Sequence, residues 1–213
     1  MKKNKYFDLL KNILSSGQTQ QNKKGEIIYL INQSLTLDSD DLDELFKVYK
    51  VPTIKLNAEL QLYMEGETRE AIYQKCGINW WAYCKPKLIN TYPTYFKKLG
   101  PLIRKINKEL RPSKNYVLFL GETGAPTNQL PCISLIQFQI CEGLLYLTIY
   151  QRSADSNLGL PCDLYQARLI AQQVNVPLGN ITFFIGNAHI YKNNIEETWR
   201  LLDGCKTKFE LNV

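Results

Sequence analysis

A chain of 213 residues with 45% hydrophobic and 11% aromatic side chains can bury roughly 70% of its unfolded surface in one core, so a single domain over residues 1–213 is expected. Its 26 basic and 20 acidic residues leave a net charge of +6 spread along the chain, which suits a small anion such as a phosphate and argues against nucleic acid as a partner. No window approaches the roughly 18 apolar residues of a membrane span, MKKNKYFDLLKNILSS lacks an apolar leader region, and six cysteines with one histidine and no C-x-x-C spacing make a poor metal set, so a cytoplasmic protein with reduced thiols, no metal and no membrane partner is expected.

Residues 6–15 read as an amphipathic helix, Ser16 to Gly25 as a polar loop, and EIIYLINQSLTL as a strand. Val51-Pro52-Thr53 announces a second helix, with Thr53 as candidate N-cap and Leu56, Leu60, Tyr63 and Met64 as its apolar stripe, ending near Gly66. Glu59 falls on the edge of that stripe, where an ionised group requires a partner or a task. From Cys76 to Leu99 the chain is dense in aromatics (Trp80, Trp81, Tyr83, Tyr92, Tyr95, Phe96), which either pack on the core or line a pocket for a flat ligand. Lys97 to Lys114 has the mixed pattern of a helix with a solvated face, and Tyr116 to Leu120 that of a short buried strand. Ile133–Ile140 and Leu144–Tyr150 read as a hairpin around Cys141-Glu142-Gly143. Residues 163–174 form a second-half helix, ITFFIG a buried strand, and Asn194 with Glu197 a capping box for a last helix ending at Gly204. Strands and helices intermixed in this way indicate an α/β unit.

Four segments carry chemistry-bearing residues: Leu130-Pro131-Cys132, Gln151-Arg152-Ser153-Ala154-Asp155 leading to Leu158-Gly159-Leu160-Pro161, Gly186-Asn187-Ala188-His189-Ile190-Tyr191, and the helix holding Glu59, continued as Glu65-Gly66-Glu67-Thr68. In isolation Cys132 reads as a small buried thiol and His189 as a satisfied structural histidine. In this order and at these separations, from about residue 6 to residue 203, the chain resembles the thymidylate synthase family, which includes the phage deoxycytidylate hydroxymethylases. YQRSADSNLGLPCDLYQARLIAQQ is the most specific stretch.

The resemblance implies an α/β sandwich with a large mixed β-sheet and flanking helices, working as a homodimer packed sheet against sheet. It implies one-carbon transfer to carbon 5 of a pyrimidine nucleoside monophosphate, with 5,10-methylenetetrahydrofolate as co-substrate. Carbon 5 is a weak nucleophile until a thiolate adds to carbon 6, and Cys132 matches that nucleophile. Arg152 and Ser153 match the phosphate site, the arginine also lying near the thiol, which needs a cation to ionise. His189 and Tyr191 match the sugar-hydroxyl site, and Glu59 the glutamate that moves protons through water. Tyr95, within Tyr92-Pro93-Thr94-Tyr95, matches a second proton-relay position. Trp80 and Asp155 match positions that meet folate, where an indole can stack on a pterin.

The base is where this chain departs from the family pattern. Thymidylate synthases carry asparagine in L-G-x-P-x-N, which reads the position-4 carbonyl and ring N–H of uracil. Here the segment is Leu158-Gly159-Leu160-Pro161-Cys162-Asp163, the mark of cytidylate specificity in the family. An acidic group can accept from the 4-amino group of cytosine and share a proton with ring nitrogen 3, and mispairing at such a buried site discriminates by about 10⁴ or more. Asp163 is equally apt as a helix N-cap. Ile133 stands where histidine follows the nucleophile, Lys114-Asn115 where a partner subunit lends paired arginines, and Lys23, in Asn22-Lys23-Lys24-Gly25, where the N-terminal loop has arginine; lysine supplies charge but no rigid fork, so weaker or differently arranged phosphate binding is expected beside Arg152. The region after the last helix is short for the family. Folate departure leaves an exocyclic methylene on the base that hydride turns into methyl and water into hydroxymethyl. Asp163 and the short tail lean toward hydroxymethylation of dCMP. The alternatives are CMP hydroxymethylation, a dUMP or dCMP methylase, and a nucleotide-binding homologue without turnover.

Overall fold

The structure, a computed structural model, describes residues 4–124 and 129–210, so the basic Lys2-Lys3 pair and the last three residues lie outside the described residues. Helix α1 (Lys5–Ser16) buries Tyr6, Phe7, Leu9, Leu10 and Ile13, and the Asn4 side chain caps it by accepting from the Tyr6 N–H. Strands β1 (Gln18–Asn22) and β2 (Gly25–Leu37) follow. The polar loop expected over Ser16 to Gly25 is thus largely a strand. QTQQN lies at the sheet edge with nearly every residue exposed, so no apolar face marks it in sequence. Helix α2 (Ser39–Val48) opens on a capping box between Asp38 and Asp41 and buries Leu42 and Leu45.

Helix α3 (Thr53–Glu65) begins as expected, but Pro52 is its N-cap, with no side-chain bond, and Thr53 is its first helical residue. Short helices α4 (Glu70–Lys75) and α5 (Tyr92–Phe96) bracket the aromatic segment, and α6 (Leu99–Glu109) buries Leu99, Ile103 and Ile106. Strands β3 (Tyr116–Phe119), β4 (Ile133–Cys141) and β5 (Leu144–Gln151) follow. The β4–β5 turn has φ 52° at Glu142 and 74° at Gly143, the positive pair that a two-residue hairpin turn requires. A two-residue strand β6 (Ala154–Asp155) leads to α7 (Gly159–Ala171), then β7 (Leu178–Tyr191) and α8 (Ile195–Leu202). Helix α7 begins four residues before the expected position because Pro161 lies in its first turn, where its missing N–H would have no helical partner anyway.

The strands form one mixed sheet in the order β1-β2-β7-β5-β4-β3, with β6 beside β7. All neighbours are antiparallel except β5 with β7 and β6 with β7. Helix α7 makes the crossover that the parallel pair needs. One face is apolar and covered, through Leu35, Leu37, Phe138, Leu147, Ile149, Ile181 and Phe183, while Tyr150 and Phe184, paired in register, stand 46% and 47% exposed on the other. This is the mixed α/β sandwich with flanking helices that the resemblance implied. No helix among the described residues is long and apolar enough to cross a membrane.

Candidate active site

The topology gathers the chemistry at one end of the sheet. Cys132 stands just before β4, and antiparallel β5 ends beside it at Gln151 and Arg152. Parallel β7 ends at the same side with His189 and Tyr191, and antiparallel β2 starts there, with Ile27 opposite Tyr191. The Arg152 N–H donates to the Cys132 carbonyl at 2.8 Å. Its guanidinium donates from Nε to the Pro131 carbonyl at 3.1 Å and from Nη2 to the Leu130 carbonyl at 2.9 Å. On the far side Asn187 N–H donates to the Arg152 carbonyl at 3.1 Å. A Cβ on the preceding Gly186 would lie 2.8 Å from that carbonyl oxygen, so only glycine permits this approach.

Cys132 is a half-buried free thiol. Burial pushes it above the ordinary cysteine range, Arg152 pulls it down, Asp163 pushes it up and Lys24 pulls it down. The cation expected beside the thiol is present, yet burial outweighs it. Lys24, in the β1–β2 turn, places Nζ 5.9 Å from the centre of the Tyr83 ring, and its charge is felt by Cys132 and Asp155. Lys23, on the same β1–β2 turn, is exposed as Lys24 is, and of the two it is Lys24 whose charge acts on the thiol. Lys114 lies elsewhere in the chain. Its carbonyl accepts from Gln137 at 3.0 Å, five residues along β4 from Cys132, or roughly 16 Å at about 3.3 Å per residue.

Glu59 is 4% exposed. Its Oε1 accepts from the indole N–H of Trp80 at 2.5 Å and of Trp81 at 2.6 Å, and its Oε2 from Gln166 Nε2 at 2.8 Å. Burial raises its carboxyl above the usual range while these donors, with Tyr63, lower it. Trp80 therefore spends its N–H on Glu59, and its ring is half-buried. Trp81 and Gln166 were not legible as partners, because nothing in the sequence brings residues 81 and 166 to residue 59.

The tyrosine beside Cys132 is Tyr92, not Tyr95. Ile133 N–H donates to the Tyr92 hydroxyl at 3.2 Å, and burial with the nearby Cys132, Asp163 and Glu59 raises that hydroxyl well above its ordinary value. Tyr95 instead donates to Asn90 and responds to Glu122. The two differ by three residues on α5, and the helical turn presents only one of them to Cys132. The signal lay in the same Tyr92-Pro93-Thr94-Tyr95 segment.

Asp163 lies inside α7, whose N-cap is Leu158, so the N-cap reading is excluded. Its Oδ2 accepts from Gln151 Nε2 at 2.7 Å. Burial pushes the carboxyl up to about 7, Gln151 opposing and Glu59 adding to the rise. Gln151 is 2% exposed, and its Oε1 has no hydrogen-bond partner among the described residues. Cys162 is pushed up to about 12 by burial and by Asp163, Glu59 and Asp155.

Asp155 anchors the turn into α7, its Oδ1 accepting from the N–H groups of Asn157 at 3.0 Å and Leu158 at 3.3 Å, and burial pushes it up to about 6. Ser153 is half-buried on the same strand end. His189 pairs through Nδ1 with Asn187 Oδ1 at 3.1 Å and meets Tyr191 edge to face at 5.3 Å. Burial holds it down at about 4, so it is neutral at pH 7. Tyr191 is raised by burial and lowered by a bond to Asn22, and it feels Asp155 and Cys132. A thiol, a buried carboxylate held by three N–H groups, an acid near neutrality and two nearby cations can together add to an electrophilic ring and relay protons to it.

The family model described as Thymidylate synthase matches residues 4–210. A protein named thymidylate synthase from Mycoplasma genitalium is 25% identical over 236 residues, covering 90% of this chain and 82% of that protein. Another, from Buchnera aphidicola subsp. Schizaphis graminum, is 25% identical over 211 residues, covering 90% of this chain and 80% of that protein. The chain belongs to the thymidylate synthase family, one-carbon transferases that act on pyrimidine nucleotides with methylenetetrahydrofolate as co-substrate.

Proposed function

We propose that this chain converts dCMP to 5-hydroxymethyl-dCMP, as a homodimer in the cytoplasm. The observation that carries the choice of base is Asp163, an acid near neutrality where an asparagine would read uracil. With one proton shared between its carboxyl and ring nitrogen 3, it accepts from the 4-amino group and completes the pair with cytosine. Gln151 steadies it from one side, and the unpartnered Gln151 Oε1 offers a further acceptor nearby.

In this reading the Cys132 thiol gives up its proton as the nucleotide binds, and its sulfur adds to carbon 6. Arg152, with Lys24 and Ser153, faces the phosphate. His189 and Tyr191 face the sugar. Glu59, acting through water, moves protons on and off the base, with Tyr92 beside the reacting carbon. Methylenetetrahydrofolate supplies the one-carbon unit at carbon 5, and water then completes the hydroxymethyl group as the thiol leaves. The half-buried Trp80 ring suits a flat pterin, and Asp155 Oδ2, free of hydrogen bonds among the described residues, suits its N–H donors.

A second reading rests on the same carboxyl. A neutral Asp163 can donate to the position-4 carbonyl of uracil and accept from its ring N–H, as an amide does, which agrees with relatives named thymidylate synthase. Tritium release from carbon 5 of labelled dCMP, CMP and dUMP, followed by product mass, separates the two. The expected outcome is preference for dCMP, a hydroxymethyl product, loss of release in Cys132→Ala and a shift toward dUMP in Asp163→Asn. A wild-type preference for dUMP with a methylated product would overturn the proposal.

A further inference from the structure

We infer that Gln166 is a positioning residue that keeps the proton of a buried carboxylate pair off Glu59 and on Asp163. This deepens the function proposed above and rests on its reading of those two groups. Gln166 lies one helical turn after Asp163 on α7, so both side chains leave the same face. Its Nε2 crosses to α3, donating to Glu59 Oε2 at 2.8 Å and to the Leu56 carbonyl at 3.3 Å. Trp80 and Trp81 occupy the other oxygen. Glu59 therefore accepts three N–H groups across both oxygens, whereas Asp163 accepts one, from Gln151.

N–H donors on both oxygens of a carboxyl favour its ionised form, since protonation of either oxygen would turn a hydrogen toward a donor. The groups that feel the charge of Glu59 are Tyr63 on its own helix, Tyr73 on α4, Tyr92 on α5, and Cys162 and Asp163 on α7. None is a cation, so two buried carboxylates without a counter-charge among the described residues favour sharing one proton. The unequal number of donors decides where it rests. Two carboxyl groups driven apart by their surroundings give an acid and a base at one pH: Asp163 carries the proton that pairs with the ring, and Glu59 stays ionised to accept one. The two indoles, and Tyr63, whose hydroxyl also favours the Glu59 charge, serve the packing of the aromatic core as well, so Gln166 is the donor that can be removed alone.

The test uses the full chain with methylenetetrahydrofolate and whichever of dCMP or dUMP the wild type exchanges, measuring tritium release from pH 5 to 9. Gln166→Met keeps the side-chain length without the donor. Its acid limb in kcat is expected to move up by about one pH unit, so that kcat falls roughly tenfold at pH values below the limb, while kcat on the plateau above it and nucleotide KM change by less than about twofold. Gln166→Glu, which replaces the donor with a further acceptor, is expected to move the limb further and serves if the methionine variant does not fold. A uniform loss at every pH, or an unmoved limb, makes Gln166 a packing residue and overturns the inference alone. Exchange that survives in Glu59→Gln overturns the reading of Glu59 and this inference together.

Discussion

Asp163 sits among groups that give its charge little help: one amide donor, a second buried carboxylate and a thiol pushed up to about 12. Its carboxyl releases a proton near 3.8 when unperturbed and near 7 in the fold. The folded chain binds more protons in that window, so stability falls as pH rises from about 4 through about 7 and is level above it. Asparagine at this position removes the titration. Melting temperature measured from pH 4.5 to 8.5 should therefore show Asp163→Asn gaining on the wild type up to about pH 7 and holding its lead beyond, at roughly 2–4 °C per kcal/mol for a chain of this size. A difference that is flat across the range would show that the carboxyl is not raised. His189 titrates with the opposite sign, losing stability as pH falls from about 6.5 to about 4, but it is common to both proteins and cancels.

At the scale of elements, Asn194 shows how a correct sequence signal can serve another end. The capping box expected with Glu197 does not form, and α8 has no side-chain cap bond. The Asn194 amide instead donates to the Glu210 carbonyl at 2.9 Å and accepts from the Glu210 N–H at 2.8 Å. Phe209 stacks on Tyr49 at 5.8 Å, so the segment after α8 folds back over the α2–α3 connection. Losing the two bonds in Asn194→Ala should cost about 1–3 kcal/mol in urea unfolding and speed tryptic cleavage after Lys206 and Lys208. Unchanged cleavage would show that the tail is held by its other contacts, Phe209 on Tyr49 and the Lys208 N–H to Glu197. Helix α4 and strand β1 escaped the sequence reading for a related reason: one is six residues long and the other exposed, so neither shows a full apolar period. The capping box and the buried Leu42 and Leu45 of α2 were legible in principle and were missed.

For the whole molecule, the sheet has one face closed by helices and one that carries Tyr150, Phe184 and the Thr36–Thr182 hydroxyl pair. A second copy on that face would complete the proposed homodimer and could bring a partner's Lys114 toward the phosphate. Light scattering should give twice the chain mass for the wild type and a single mass for Tyr150→Lys with Phe184→Lys, with nucleotide KM rising as the dimer is lost. A monomeric wild type with full activity would rule this out. Sequence alone determined the family, the mixed α/β class, the hairpin and the motif positions of Cys132, Arg152, Asp163 and Glu59, because those are carried by spacing and by local periodicity. Only the tertiary structure decided that Tyr92 rather than Tyr95 stands beside the thiol, that the charge of Lys24 reaches it, that burial outweighs Arg152 at Cys132, and that Gln166 and two indoles hold Glu59. Each of these depends on distance and desolvation between elements far apart in the chain, and neither quantity is written in the order of residues.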